Sequence, residues 1–125
     1  MEELGVIRAG FRDKYILAAA KAVADGTVNL EAISAMTAQE AKTALMKISG
    51  VGNKVSDCIL LFGLAKCDSF PIDVWIKRIM EYCYFDNTEH SIPEISSYAA
   101  EHFGSLGGFA QQYLFFWARE NKIGV

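Results

Sequence analysis

The stretch SGVGNKVSDC, residues 49–58, lies between two segments whose apolar residues recur at helical intervals. Before it, Thr37 and Glu40 have the spacing of a capping box, and helical periodicity then continues to Ile48. After it, a second periodic segment begins. Only residues 49–52 are left to reverse the chain, so the sequence predicts a helix-hairpin-helix motif.

The hairpin contains two glycines, Gly50 and Gly52, with Val51 between them. We expect both glycines to be needed for positive φ or close backbone approach, and Val51 to reach into the core. A glycine hairpin that leads into a helix N-terminus presents backbone N–H groups that can bind a phosphate oxygen. An ordinary αα-hairpin with a glycine turn remains an equal alternative on these residues alone.

Lys54 falls in the first turn of the second helix, where the helix dipole and burial would favour a neutral, nucleophilic amine. Further along, Asp73 is placed as the N-cap of a helix over residues 74–82. The pair suits a reaction in which an amine attacks a sugar C1′ and an anion supports the developing positive charge. Taken singly, Asp73 is explained as a cap and Lys54 as a solvated lysine.

The run GVGNKVSDCILLFGLAKCDSFPIDVWIKRI, residues 50–79, resembles the helix-hairpin-helix glycosylases of the Gly-Pro-Asp superfamily, and most closely the 8-oxoguanine DNA glycosylase/AP lyases. Residues 10–15 (GFRDKY) resemble the Gly-aromatic-Arg segment of that family, and residues 108–115 (GFAQQYLF) resemble its Gly-aromatic-Ala-Gln helix. The motifs occur in the family's order, and the resemblance covers roughly residues 8–121.

The resemblance implies the catalytic roles. Lys54 matches the lysine that forms the Schiff base, Asp73 the catalytic aspartate, and residues 50–52 the hairpin that holds backbone phosphate. The implied activity is base-excision repair: an N-glycosylase that removes 8-oxoguanine through a lysine Schiff base, and an AP lyase that nicks the strand by β-elimination. The implied partner is double-stranded DNA containing an oxidised purine. No metal or organic cofactor is expected.

The resemblance also implies a base pocket and a wedge. Cys58 matches the cysteine beneath the flipped base, Gln111 the glutamine that reads its Watson–Crick edge, and Phe115 the aromatic ring that stacks on it. Phe11 matches the wedge and Arg12 the arginine that faces the estranged cytosine. Gln111 and Phe115 are four residues apart and therefore share one helix face.

Two positions depart from the family pattern. Ser49 stands where many members have proline, which loosens the hairpin without removing its N–H groups. Trp75 stands where some relatives have histidine, and it is expected to be one of the DNA-binding residues.

The fold class predicted is all-α, because the chain has only 2 prolines and no alternating strand pattern, although residues 67–70 suit a short extended link. With 125 residues and 52% hydrophobic composition, residues 1–125 are expected to form one glycosylase catalytic domain. We expect that domain to be incomplete at its N-terminus, since family members carry a sheet domain and further helices before the segment that matches Gly10. No apolar run has membrane-span length and no signal peptide is recognised, so a cytoplasmic protein is expected, nucleoid-associated in a bacterium.

The 3 cysteines are irregularly spaced, which indicates reduced thiols and neither a disulfide framework nor a zinc site. Some helix-hairpin-helix glycosylases carry a four-cysteine iron–sulfur loop, and this sequence has no C-terminal cysteine for one. We therefore expect no cluster.

The formal charge of −3 is unusual for a DNA-binding protein. The charges are unevenly distributed: residues 42–78 hold six basic and three acidic side chains, a balance of +3, which leaves −6 for the rest of the chain. A basic face on an acidic body is one interpretation, and a mixed solvated surface is the other.

Periodicity and capping signals predict seven helices in all. Their predicted ranges are 11–23, 29–35, 37–48, 53–64, 74–82, 91–103 and 109–121. Asn29 is expected to cap the second, and Ser91 and Glu94 to form a capping box for the sixth. Gly107 and Gly108 are expected to break the chain before the last.

Two further functions compete with the glycosylase hypothesis. One is a helix-hairpin-helix module, or an inactive glycosylase fragment, that grips the DNA backbone without catalysis. It would keep Gly50 and Gly52 but has no reason to combine Lys54, Asp73 and Gln111 with them. The other is an interaction bundle with no role in nucleic-acid binding.

Overall fold

The computed structural model describes residues 2–124, and every regular element in that range is helical, as the fold class predicted. The chain divides into two compact units, with the boundary in the sequence between Ser56 and Asp57. Across the described range, no helix combines the length and apolar character needed to cross a membrane.

The first unit contains five short helices, and a sixth begins in it. They are α1 (Glu2–Gly5), a 3-10 turn (Gly10–Arg12), α2 (Asp13–Ala24), α3 (Leu30–Ser34), α4 (Ala38–Leu45) and α5 (Asn53–Cys58).

Side-chain caps fix where these helices start. Asn29 caps α3, because its Oδ1 accepts a hydrogen bond from the N–H of Ala32 at 3.1 Å. Thr37 and Glu40 form the predicted capping box of α4, with bonds of 3.3 and 3.1 Å. The predicted N-termini of α3 and α4 are therefore confirmed.

The apolar interior of this unit is small. Helix α3 packs on α4, and the buried side chains are Ile33, Ala41 and Leu45. Many apolar side chains elsewhere in the unit remain exposed, among them Val6 and Phe11. The unit thus gains its stability from few buried groups.

The second unit contains the remaining helices. They are a π-helical turn (Ile59–Gly63), α6 (Val74–Tyr84), α7 (Ile92–Phe103), a 3-10 turn (Gly104–Leu106) and α8 (Gly107–Glu120). Ser91 and Glu94 form the predicted capping box of α7, with Pro93 in its first turn.

A continuous apolar core joins α6, α7 and α8, which pack pairwise on one another. Ile76, Met80 and Ile95 are its largest fully buried side chains. The ring of Phe70 stacks on that of Phe103 with centroids 5.7 Å apart, so the segment before α6 is held against the end of α7.

The glycine pair at the start of α8 corrects one prediction. Gly107 and Gly108 were expected to break the chain before a helix at Phe109, but α8 begins at Gly107. A Cβ on Gly108 would lie 2.8 Å from the carbonyl oxygen of Cys67 and would also overlap Leu61. The N–H of Gly108 donates to that same oxygen at 2.7 Å, so the glycines allow α8 to approach the segment after the π turn.

Other element boundaries also differ from prediction. Helix α4 ends at Leu45 instead of Ile48, and turns cover the intervening residues. The second hairpin helix changes to π geometry after Cys58. Residues 67 and 68 form a turn within the stretch 67–70, where an extended link was expected.

Candidate functional site

The hairpin between α4 and α5 is a β-turn centred on Ser49 and Gly50. The N–H of Val51 donates to the carbonyl of Ile48 at 3.1 Å, and Gly50 has φ +85°. A Cβ at Gly50 would lie 2.6 Å from the ring of Tyr15. The fold itself therefore requires glycine at residue 50, as predicted. Val51 is half-buried, so it reaches the core only in part.

Gly52 differs from Gly50. Its φ is outside the left-handed region, and a Cβ there would meet no atom within 4 Å. The expectation that the fold needs a second glycine is wrong, because the backbone is ordinary and the space beside it is open. An external group can approach the backbone closely at this point.

The N-terminus of α5 lies directly after Gly52. The first bond that closes the helix runs from the N–H of Ser56 to the carbonyl of Gly52 at 3.0 Å. The N–H groups of residues 53–55 therefore have no acceptor inside the helix. The hydroxyl of Ser56 donates to the carbonyl of Asn53 at 2.8 Å and is fully buried, which anchors this turn.

Lys54 lies in that first turn with its side chain exposed to solvent. The predicted burial of Lys54 is therefore wrong, because the structure exposes its side chain. The side chain is accessible, and it shares one helical turn with the N–H groups of residues 53–55. An amine here can reach a ligand that is bound by the hairpin.

Residues 10–15, which resemble the Gly-aromatic-Arg segment of the glycosylases, lie beside the hairpin. Phe11 is 68% exposed, and the guanidinium of Arg12 lies 4.6 Å from the centroid of its ring. A groove of about 320 Å³ is shared by the two motifs and is lined by Phe11, Arg12, Tyr15, Ile16, Ala19, Ile48, Ser49, Gly50, Val51 and Val55. The structure therefore brings Phe11 and Arg12 together with residues 49–51.

Asp73 is the N-cap of α6, as predicted. Its Oδ1 accepts a hydrogen bond from the N–H of Ile76 at 2.8 Å, which leaves Oδ2 for another partner. The preceding residues 70–72 are buried, so the half-buried carboxylate is fixed by the chain on both sides.

Gln111 is 7% exposed and faces the segment before Asp73. Its Nε2 donates to the carbonyl of Pro71 at 3.1 Å, and its Oε1 accepts from the side chain of Gln112 at 2.6 Å. A side-chain amide has four hydrogen-bonding positions, so half of the capacity of Gln111 remains for a ligand. Its assigned role as a base reader stays a prediction.

Phe115 and Trp75 line one cleft in the second unit. The cleft holds about 190 Å³ and is lined by Trp75, Ile79, Phe115, Arg119 and Ile123. The guanidinium of Arg78 lies 5.3 Å from the centroid of the Trp75 ring. Sequence reasoning missed Arg78 and Arg119, although their spacings of three from Trp75 and four from Phe115 place them on the same helix faces.

Cys58 is half-buried at the end of α5, and its thiol is free, as are those of Cys67 and Cys83. Burial raises the pKa of Cys83. The residue is therefore held as the thiol, which is less reactive than the thiolate. Within residues 2–124, no group of three or more histidine, cysteine or acidic side chains is arranged to hold a metal ion.

The predicted site residues fall in both units. The hairpin, Lys54, Phe11 and Arg12 belong to the first, whereas Cys58, Asp73, Trp75, Gln111 and Phe115 belong to the second. The joint action of Lys54 and Asp73 therefore stays a prediction.

The chain is similar in sequence to known N-glycosylase/DNA lyases. No family model matches the chain. A probable N-glycosylase/DNA lyase of Methanothermobacter thermautotrophicus is 35% identical over 114 residues, which are 91% of this chain and 36% of that protein. The N-glycosylase/DNA lyase OGG1 of Arabidopsis thaliana is 32% identical over 124 residues, covering 91% of this chain and 34% of that protein.

A solved structure shows the same relationship. The 8-oxoguanine glycosylase/lyase of Clostridium acetobutylicum, in complex with double-stranded DNA containing cytosine opposite 8-oxoguanine, superimposes with a TM-score of 0.85 at 44% identity. The match covers 92% of this chain and 39% of that one. The chain thus spans little more than a third of the length of the relatives it matches.

Proposed function

This chain belongs to the 8-oxoguanine DNA glycosylase/lyase family of helix-hairpin-helix proteins, and from that premise we propose that it carries the lysine-based chemistry of base-excision repair. Its substrate would be double-stranded DNA containing an oxidised purine. Its reaction would be removal of 8-oxoguanine, followed by a nick at the resulting abasic site.

The turn that joins the hairpin to α5 carries the proposal. Gly52 leaves open space, residues 53–55 offer N–H groups without helical acceptors, and Lys54 presents an exposed amine in the same turn. A phosphate bound by those N–H groups would hold the DNA backbone within reach of an amine. Positioning of this kind can supply much of the barrier reduction in a nucleophilic reaction.

In the proposed first step, Lys54 loses its proton and its Nζ attacks C1′ of the lesion nucleotide. The N-glycosidic bond breaks, and the base leaves with the bonding electrons and takes up a proton. The sugar ring opens to give a Schiff base between Nζ and C1′. Loss of a proton from C2′ then expels the 3′-phosphate by β-elimination, which nicks the strand.

Asp73 would act electrostatically. Its Oδ1 is used by the cap of α6, so Oδ2 is the oxygen that would face the positive charge developing at the sugar. The cap fixes the carboxylate in position before the reaction, which removes a reorganisation cost. Asp73 would also help to position or deprotonate the reacting groups.

Recognition of the lesion would use the remaining predicted residues. Gln111 would read the base with its free hydrogen-bonding positions while it holds Pro71, and Phe115 would stack on the base above Cys58. Phe11 is exposed as a wedge must be, and Arg12 lies against its ring to face the estranged cytosine.

Borohydride trapping on an 8-oxoguanine:cytosine duplex tests the proposal. Reduction of the Schiff base would give a covalent protein–DNA adduct that survives denaturing electrophoresis. A guanine:cytosine duplex of the same sequence is the control and should give no adduct. Tight binding to both duplexes with no adduct would instead support a non-catalytic DNA-binding module.

A further inference from the structure

The cleft between α6 and α8 combines flat apolar walls with positive charge. Trp75 is 43% exposed and Phe115 is 37% exposed, while Ile79 is buried and forms the floor. Its volume of about 190 Å³ is below the roughly 300–1,000 Å³ of sites that enclose a whole small molecule. The cleft therefore suits one group of a larger ligand.

Among residues 2–124, Arg119 is the charged side chain that lines this cleft, and no acidic side chain of that range lines it with Arg119. Among the residues that the structure describes, no carboxylate forms an ion pair with the guanidinium of Arg119. An arginine that is left without a counterion beside an open cleft favours an anionic ligand, and its planar fork suits phosphate oxygens.

Arg78 adds a second positive group at Trp75. Its guanidinium lies 5.3 Å from the centroid of the indole ring, and its Nη1 donates a long bond of 3.4 Å to the carbonyl of Gly124. These contacts hold Arg78 over one side of Trp75, while Arg119 and Phe115 share a cleft with that residue. The indole is thus positioned with exposed surface for stacking.

We infer that this cleft is a subsite for one nucleotide of the DNA strand, in which the phosphate is bound by Arg119 and the sugar or base packs on Trp75. Arg78 is a positioning residue that holds the indole. Aromatic stacking beside a guanidinium is the combination that binds single nucleotides of extended strands. The inference rests on the proposed function for the identity of the ligand as DNA, and it assigns the phosphate contact of this subsite to Arg119.

The salt dependence of DNA binding tests the role of Arg119. We expect Arg119→Gln to weaken binding to an undamaged duplex about fivefold at moderate salt and to reduce the slope of log K against log salt by about 0.9, the value for one lost phosphate contact. Lys122→Gln is the matched control, because it also removes one positive charge. Lys122 lies three residues after Arg119, and its side chain does not line the cleft. Equal slopes for the two variants and the wild type would overturn the inference.

Tryptophan fluorescence tests the stacking. The chain has 2 tryptophans, so Trp117→Phe leaves Trp75 as the single reporter. Emission should be quenched when a short oligodeoxythymidylate binds, and Arg119→Gln should move the quenching midpoint to about fivefold higher oligonucleotide concentration. Unchanged emission in the presence of bound oligonucleotide would exclude a base or sugar at Trp75.

These measurements are separable from the test of catalysis. If borohydride trapping fails while the slope and the fluorescence change as expected, the subsite stands and the glycosylase chemistry is wrong. If trapping succeeds while Arg119→Gln behaves like Lys122→Gln, the chemistry stands and the subsite is wrong.

Discussion

The Nε2 of Gln111 donates a hydrogen bond of 3.1 Å to the carbonyl oxygen of Pro71, forty residues earlier in the chain. This bond is buried and joins the start of α8 to the segment that ends in Asp73. A residue assigned to lesion recognition therefore also fixes the backbone two residues before the proposed catalytic carboxylate. In the proposed function, this one amide would couple recognition of the lesion to the electrostatic support from Asp73.

We expect Gln111→Ala to destabilise the protein by about 1–3 kcal/mol, because it leaves a buried carbonyl without its donor. Thermal unfolding followed by circular dichroism measures the loss. Gln112→Ala is the control, since Gln112 is exposed and its deletion leaves the bond to Pro71 in place. Equal stability of the two variants would show that the bond to Pro71 contributes nothing.

The two hairpin glycines should respond differently to alanine. Gly52→Ala meets no atom within 4 Å, so we expect an unchanged melting temperature and weaker binding to all duplexes alike, because a phosphate contact carries no base information. Gly50→Ala should cost about 2–4 kcal/mol through positive φ and overlap with Tyr15. A Gly52→Ala variant that binds duplex DNA like the wild type would remove the hairpin from the DNA contact.

Lys54→Gln should abolish borohydride trapping and leave duplex binding within about fivefold, since one exposed charge contributes at most that much to affinity. Lys47→Gln removes the same charge from an exposed lysine before the hairpin and should trap normally. The two variants are compared by the yield of covalent adduct on an 8-oxoguanine:cytosine duplex. Undiminished trapping by Lys54→Gln would assign the nucleophile to another residue.

Two substitutions of Asp73 separate capping from catalysis. Asparagine retains a cap for α6, so Asp73→Asn should keep the melting temperature and lose most of the turnover. Alanine removes the cap, and Asp73→Ala should lose about 1 kcal/mol, or about 4 °C, in addition. Single-turnover excision and thermal melts measure both effects. Full activity in Asp73→Asn would show that the carboxylate charge is dispensable.

The capping box of α7 should make stability depend on acid pH. Hydrogen bonds from the backbone N–H and then the hydroxyl of Ser91 hold the pKa of Glu94 below its ordinary value of 4.5. Because the folded-state pKa is depressed, the stabilisation is present above pH 4.5 and is lost as the pH falls through the lowered pKa. Melts from about pH 7 to about pH 3 should therefore show a shallower acid decline in Glu94→Gln, which does not titrate. Identical pH profiles would contradict this linkage.

Local chemistry explains what could be predicted from the sequence. The caps at Asn29, Thr37, Asp73 and Ser91 were each predicted and confirmed, because a cap depends on a side chain and the N–H groups two or three residues away. The need for glycine at residue 50 was also predicted, because it is local: a four-residue turn of this type demands a positive φ at that residue.

Contacts between distant residues determined the rest. The sequence by itself established helices, caps, the hairpin turn and a family resemblance. It did not reveal the packing of Gly108 on the segment after the π turn, the bond from Gln111 to Pro71, the exposure of Lys54, or the cleft that Arg119 shares with Trp75. Each of these depends on which helix faces meet after the chain has folded. Capping and periodicity act within about one or two turns of helix, whereas packing joins residues that are tens of positions apart, so only the tertiary structure decided them.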